Sequence, residues 1–337
     1  MTSFVRESTR RLRGLSALSL RYCLYRLSGR RLHARDTHEF SQISVISPRL
    51  RRLEGMISMS ERAYLQWFAK HVFENHGAIV DLGSWLGSTT IPLAMGLVQN
   101  PKLDPRLKCI FAYDSFIWRT WMEPNVAGTP LMGKYRDGES FLGEFEKRTE
   151  SWRERIHVRA GDLLELDWDG GAIEFLLVDA MKSWDLANRV IKSFYPSLVP
   201  GRSRVFHQDF AHWFTPWIHL THYRLRHYFV PEYDIPRSTS VVFRLREPMA
   251  PELLAGHYSA DSFTADEVHA AFDYSMSVVG PDKRANVAAA KIMHFVHTGD
   301  LDQARRELEK CRAQVMDFAS DLAFVEQRLL TASTEAS

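Results

Sequence analysis

Residues 78–95, AIVDLGSWLGSTTIPLAM, constrain this chain more than any other stretch. An apolar run ends in an acid, two glycines follow four residues apart, and an apolar segment closes the stretch. The pattern predicts strand, tight turn and helix. Glycine lets such a turn double back and lets a ligand approach the backbone, and the helix N-terminus offers unpaired N–H groups with positive dipole character. That combination suits a nucleotide-type ligand.

At 337 residues the chain exceeds one average domain, so a core domain with appendages is expected. With 45% hydrophobic and 25% charged residues it is expected to be a soluble globular protein with a sizeable core. No run approaches the roughly 18 apolar residues that suggest a membrane span, and no leader-like segment opens the chain, so a cytoplasmic location is expected. Cys23, Cys109 and Cys311 are scattered, forming neither a disulfide framework nor a zinc spacing. Residues 1–53 carry twelve Arg against Glu7, Asp36 and Glu39, although the whole chain is only +2. Residues 1–55 therefore read as a basic N-terminal extension, with an amphipathic helix around Leu12 to Leu27. A docked extension is the simpler expectation, contact with an anionic membrane surface the alternative. No nucleic-acid reader motif accompanies the charge.

In chain order the apolar pattern predicts a helix over 58–75 with Ser60 as N-cap, then strands at 78–81, 108–113, 155–159, 173–178 and 203–207. Helices are expected over 139–154, 185–194 and 215–228. Buried strands alternating with helices argue for a parallel sheet covered on both faces. Residues 229–233 and 240–246 lack an intervening helix, so they predict an antiparallel hairpin at one edge. The loop 115–138 is rich in Trp, Gly and Pro and long enough to be a lid. Beyond residue 247 the sequence turns helical, with amphipathic segments at 285–297 and 301–315. The expected architecture is α/β: a Rossmann-like, mostly parallel sheet over 56–247 with an antiparallel edge strand, helices on both faces, and a helical region at 248–337.

A redox dinucleotide site would carry G-x-G-x-x-G, which this turn lacks. Asp81, Gly83, Ser84, Gly87 and Ser88 instead spell D-x-G-x-x-x-G-S, and over residues 56–247 the chain resembles class I S-adenosylmethionine-dependent methyltransferases. That resemblance implies that the glycine turn binds the cofactor. It gives Asp114, closing the second strand, the ribose hydroxyls, and Asp162, after the third, the adenine amino group.

Asp179 and Lys182 follow the fourth strand at a spacing similar to that of catechol O-methyltransferases. The resemblance implies an Asp holding magnesium and a Lys acting as general base. Macrolide-sugar O-methyltransferases place Asp-Gly-Asp-His here. In both groups the end of the fifth strand supplies the remaining ligands, at Gln208 and Asp209 in this chain. Two carboxylates and an amide oxygen make a hard donor set suited to magnesium, and Lys182 needs a depressed pKa to accept a proton. The plainer alternative pairs Lys182 with Asp185 on the surface and leaves Asp179 as a loop cap. His212 is the alternative base. No H-x-E or H-E-x-x-H pattern supports zinc.

The sequence thus predicts an O-methyltransferase that uses S-adenosylmethionine, with magnesium as an expected partner, on a hydroxylated small molecule or sugar-containing metabolite. A homo-oligomer is compatible with it. The rival expectation is a catalytically degenerate cofactor-binding or assembly protein on the same fold.

Overall fold

The computed structural model describes residues 47–104, 109–313 and 320–335. The amphipathic helix expected near Leu12 to Leu27 lies outside the described residues. Seven strands form one sheet: β1 (Ala78–Leu82), β2 (Ile110–Asp114), β3 (Ile156–Ala160), β4 (Ile173–Val178), β5 (Arg204–His207), β6 (Phe229–Asp234) and β7 (Val241–Leu245). Every position of β1 and β4 is buried. Continuous apolar runs of this kind belong to a parallel sheet covered on both faces.

The strand order is β3-β2-β1-β4-β5-β7-β6. Strands β1 to β5 pair in parallel. The expected hairpin lies at the β5 edge, where β7 runs antiparallel to both neighbours and is inserted between β5 and β6. The order reverses between β1 and β4. That is the topological switch point, and in open α/β sheets the usual ligand site lies there, beyond the carboxyl ends of the strands.

Alternation along the strands sends side chains to two cores. Ile79, Phe175, Leu177 and Phe206 face helices α1 (Met59–Trp67), α2 (Thr90–Val98) and α3 (Leu142–Thr149). Val80, Leu82, Leu176 and Val205 face α4 (Trp184–Ser193) and α5 (Pro216–Leu225). The second core continues into α6 (Ala265–Val278), α7 (Arg284–His297), α8 (Leu301–Ala313) and α9 (Ser320–Glu335). The C-terminal helices thus share one core with the sheet.

Helix α1 starts two residues before the start that a Ser60 cap predicts. Ser58, not Ser60, is the cap: its hydroxyl accepts from Glu61 N, and the Glu61 carboxylate returns to the Ser58 N–H. That reciprocal pair needs Glu three residues after the cap, a condition only Ser58 meets. Helix α6 begins on a similar box between Thr264 and Glu267. No helix among the described residues is long and apolar enough to cross a membrane.

Candidate active site

The turn after β1 is built on Asp81. Its carboxylate has no solvent exposure and accepts from Thr89 Oγ1 at 2.8 and 2.9 Å and from Thr90 Oγ1 at 2.6 Å. Burial pushes its pKa up to about 6 against those hydroxyls. Asp81 therefore braces the turn against the start of α2, and its oxygens are already occupied by the protein. Ser84 is likewise turned inward, donating to Asp81 O at 3.1 Å, and Ser88 is buried under Gly55. Thr89 and Thr90 went unnoticed in the sequence; the only signal was the S-T-T run following the second glycine.

Gly83 has φ +93°, and a Cβ there would lie 2.8 Å from Asp179 O. The turn after β1 and the loop after β4 consequently touch backbone to backbone, and Asp179 N donates to Leu82 O at 2.9 Å. Next in the turn, Trp85 has φ +42°, and its N–H donates to Asp114 Oδ2 at 2.9 Å. Phe116 N donates to Asp114 Oδ1 at 2.7 Å. Asp114 is only partly buried; burial raises its pKa against those two backbone bonds. Asp162 is exposed, with Oδ1 accepting from Leu164 N at 2.9 Å.

The Trp85 ring is buried, and its Nε1 has no hydrogen-bond partner among the described residues. It stacks on Trp118, with centroids 6.4 Å apart. Trp118 is the fully buried anchor of the loop expected over 115–138. The loop base is zipped by Trp118 N to Glu139 O at 2.7 Å and Gly138 N to Trp118 O at 2.9 Å. Its tip forms a 3₁₀ turn, Thr120–Val126, in which Trp121 is 60% exposed.

The ends of β4 and β5 bring Asp179, Lys182, Gln208 and Asp209 together. Lys182 Nζ lies 2.8 Å from Asp179 Oδ1 and is also ion-paired with Asp209 Oδ2. The two carboxylates are 13% and 8% exposed. Burial pushes Asp179 up to about 7, with Lys182 opposing and Asp209 reinforcing the rise. The lysine side chain is 47% exposed, with Nζ paired to both acids. Burial works against the ammonium, and the paired carboxylates outweigh it and hold its pKa above the ordinary lysine value. Two expectations are thereby corrected. The partner of Lys182 is not Asp185, and its pKa moves the wrong way for a general base.

Gln208 corrects the expected magnesium set. Its side-chain amide faces carboxylate oxygens, which only accept, so the nitrogen is assigned to that side. In that assignment it donates to Asp179 Oδ1 at 2.7 Å and Asp209 Oδ1 at 2.9 Å. A metal ligand would present the amide oxygen instead. With an ammonium between the carboxylates and an amide N–H₂ bridging them, Asp179, Gln208 and Asp209 do not fit a magnesium ion. Among the described residues no group of three His, Cys, Asp or Glu side chains forms a metal site.

His212 is also corrected. Its Nδ1 accepts from Phe214 N at 3.2 Å, so the neutral ring carries its proton on Nε2 and has no free nitrogen to act as base. Burial lowers its pKa, partly offset by Asp209. Trp217 holds the loop after β4 by donating from Nε1 to Met181 O at 2.7 Å. The remaining histidines of this region, His207, His219 and His222, are buried among Phe210, Phe229 and Phe243.

No family model matches the chain, and no curated protein matches it. Among solved structures it is similar to the calicheamicin methyltransferase CalS11, with 14% identity and a TM-score of 0.42, over 62% of this chain and 90% of that one. The pyocyanin biosynthetic protein PhzM is similar at 14% identity and TM-score 0.35, over 54% of each chain. LaPhzM follows at 15% identity and TM-score 0.30, over 55% of this chain and 56% of its own. These are likenesses of fold. The chain has the doubly wound, mostly parallel sheet with a reversed strand next to one edge that the resemblance to class I methyltransferases implies.

Proposed function

We propose that the chain is an S-adenosylmethionine-dependent methyltransferase acting on an oxygen of a hydroxylated small-molecule or sugar-containing acceptor. The observation that carries this reading is Asp179. Its Oδ1 is taken by Lys182 and Gln208, while its Oδ2 has no donor among the described residues, and the residue directly follows β4, one of the two strands at the switch point.

The turn residues suit the cofactor. Gly83 and Gly87 keep its backbone open, Asp114 and Asp162 offer acceptor oxygens at the ends of β2 and β3, and Trp85 Nε1 is a buried donor awaiting a partner. S-adenosylmethionine, when bound, supplies an electrophilic methyl carbon on a sulfonium.

On the acceptor side, Asp179 Oδ2 takes the hydroxyl proton. A carboxylate with a pKa near 7 is better matched to that task at neutral pH than an ordinary Asp. Lys182 stays charged and presents its remaining N–H to the oxygen as negative charge develops there. Asp209 and Gln208 hold the other faces of the ammonium and carboxylate, so the pair is oriented before the acceptor arrives. The loop anchored by Trp118 on Trp85 carries the exposed 120–126 tip, which would cover a bound acceptor.

Calorimetric titration with S-adenosylmethionine, followed by a radiolabelled methyl-transfer screen over hydroxylated acceptors, tests the proposal. Binding that disappears in Asp114→Ala, with transfer in the wild type, supports it. No binding by the wild type overturns it, and binding without transfer to any acceptor favours the degenerate scaffold.

A further inference from the structure

We propose that the Asp179–Asp209 carboxylate pair is a cation site whose permanent occupant is the chain's own Lys182 ammonium, so that the protein operates without a divalent metal there. The geometry is that of a filled site. Two carboxylates, each more than four-fifths buried, converge on one Nζ from the loops after two different strands, and two buried acids sharing one site need a positive charge between them.

Three further observations fix the occupant. The loop carrying Lys182 is held at both ends. Asp179 N is bonded to Leu82 O, Met181 O accepts from Trp217, and Ser183 caps α4 through Leu186 N at 3.2 Å. The opposite wall is equally fixed. Gln208 O accepts from Thr239 Oγ1 at 2.6 Å and Ser240 Oγ at 3.2 Å, and Asp209 O accepts from Thr215 Oγ1 at 3.0 Å. Finally, with its amide assigned to satisfy those acceptors, the buried Gln208 gives both N–H bonds to the carboxylates. Its donors complement an anion pair already shared with an ammonium, whereas a hard divalent ion asks for oxygen lone pairs in that position.

An ammonium and a divalent ion differ in consequence. The lysine cannot be chelated away, it leaves the cluster one negative charge short of neutral, and it offers hydrogen-bond donors in place of Lewis acidity. The inference concerns the cation alone and is independent of whether methyl transfer is the reaction.

Its test is titration of the full-length protein with Mn²⁺, read by the paramagnetic resonance of the free ion, with circular dichroism on every variant. The expected result is no stoichiometric uptake by the wild type. Lys182→Met and Lys182→Gln should each gain one equivalent, lost again when Asp209→Asn is added. Stoichiometric Mn²⁺ uptake by the wild type that Asp209→Asn abolishes would overturn the inference, and this arm holds even if the Lys182 variants misfold. Folded Lys182 variants that gain no ion also overturn it, because the carboxylates would then not be a cation site. If the methyl-transfer reading holds as well, wild-type turnover should survive exhaustive chelation. Failure to find any turnover leaves the Mn²⁺ result standing by itself.

Discussion

At the scale of single residues, the chemistry rests on which member of the Asp179–Lys182 pair moves a proton. Lys182 is held protonated by two acids, and Asp179 is lifted to about 7, so in the proposed methyl transfer the proton acceptor is the carboxyl. Activity should therefore rise with pH through about 7 as Asp179 loses its proton, and level off above it. Removing the ammonium takes away the interaction that opposes the rise, so Lys182→Gln should move that limb to higher pH. A purely structural lysine would lower the amplitude without moving the limb. Asp179→Asn removes the base outright, and turnover should fall by about 10²–10⁴-fold while S-adenosylmethionine affinity in calorimetry stays unchanged. An Asn variant that keeps wild-type turnover would sink the assignment. The acids were legible as strand-end residues, because a single sequence displays what terminates each apolar run. The ion pair between Lys182 and Asp209 was not, since it joins residues 27 apart that only the β4–β5 pairing brings together. The same holds for Gln208, whose amide is oriented by what faces it and not by its own neighbours in sequence.

At the scale of elements, the strands were readable from apolar runs because a doubly covered parallel sheet buries both faces. Helix starts were less so. A Ser near a helix start is ambiguous until its partner Glu three residues on is counted, which is why Ser58 displaces Ser60. The loop over 115–138 illustrates a different limit. Composition marked it as aromatic, but not which ring is anchor and which is tip. Trp118 is fully buried between Trp85, Tyr135 and Phe141, whereas Trp121 stands in solvent. Truncating the first leaves a ring-sized cavity, and truncating the second leaves none. Trp118→Ala should cost about 3–5 kcal/mol in urea unfolding, and Trp121→Ala should stay within about 0.5 kcal/mol of wild type. Because Trp118 also stacks on the glycine turn, its loss should weaken S-adenosylmethionine binding. Trp121→Ala should instead affect only the acceptor. Equal destabilisation by the two variants would mean the loop is not anchored as described.

At the scale of the whole molecule, the C-terminal helices are part of the structure that supports the site. Lys283 is 3% exposed and reaches the β6–β7 hairpin, where it pairs with Asp234 and donates to Ile235 O at 2.7 Å and Ser240 O at 2.8 Å. Trp213, in the segment after β5 that carries Asp209, stacks on Phe324 of α9 at 6.0 Å. Between this layer and the sheet lie three histidines with almost no exposure, and their burial sets how the fold responds to acid. His207 is lowered to about 4 and His219 to about 3, with His222 well below its ordinary value, all chiefly by burial. Each binds a proton more readily when unfolded. Their contribution is fully present above the unfolded value of 6.5 and is lost progressively as pH falls towards the folded values. His207 alone spans about 2.5 pKa units, or ~3 kcal/mol, and the three are not additive because their charges repel. Asp81 and Asp179, with raised values, pull the other way below pH 7, so the net slope of the wild type is not diagnostic. The difference between wild type and variant is. His219 lies against Phe210 and Phe272 with neither ring nitrogen hydrogen-bonded among the described residues, so Phe replaces it without stranding a partner. His219→Phe should match or exceed wild-type stability at pH 8 and gain on it steadily between pH 6.5 and 4, read as the gap in Tm by calorimetry. A gap independent of pH would mean that His219 does not resist protonation, and the acid sensitivity would have to be sought elsewhere.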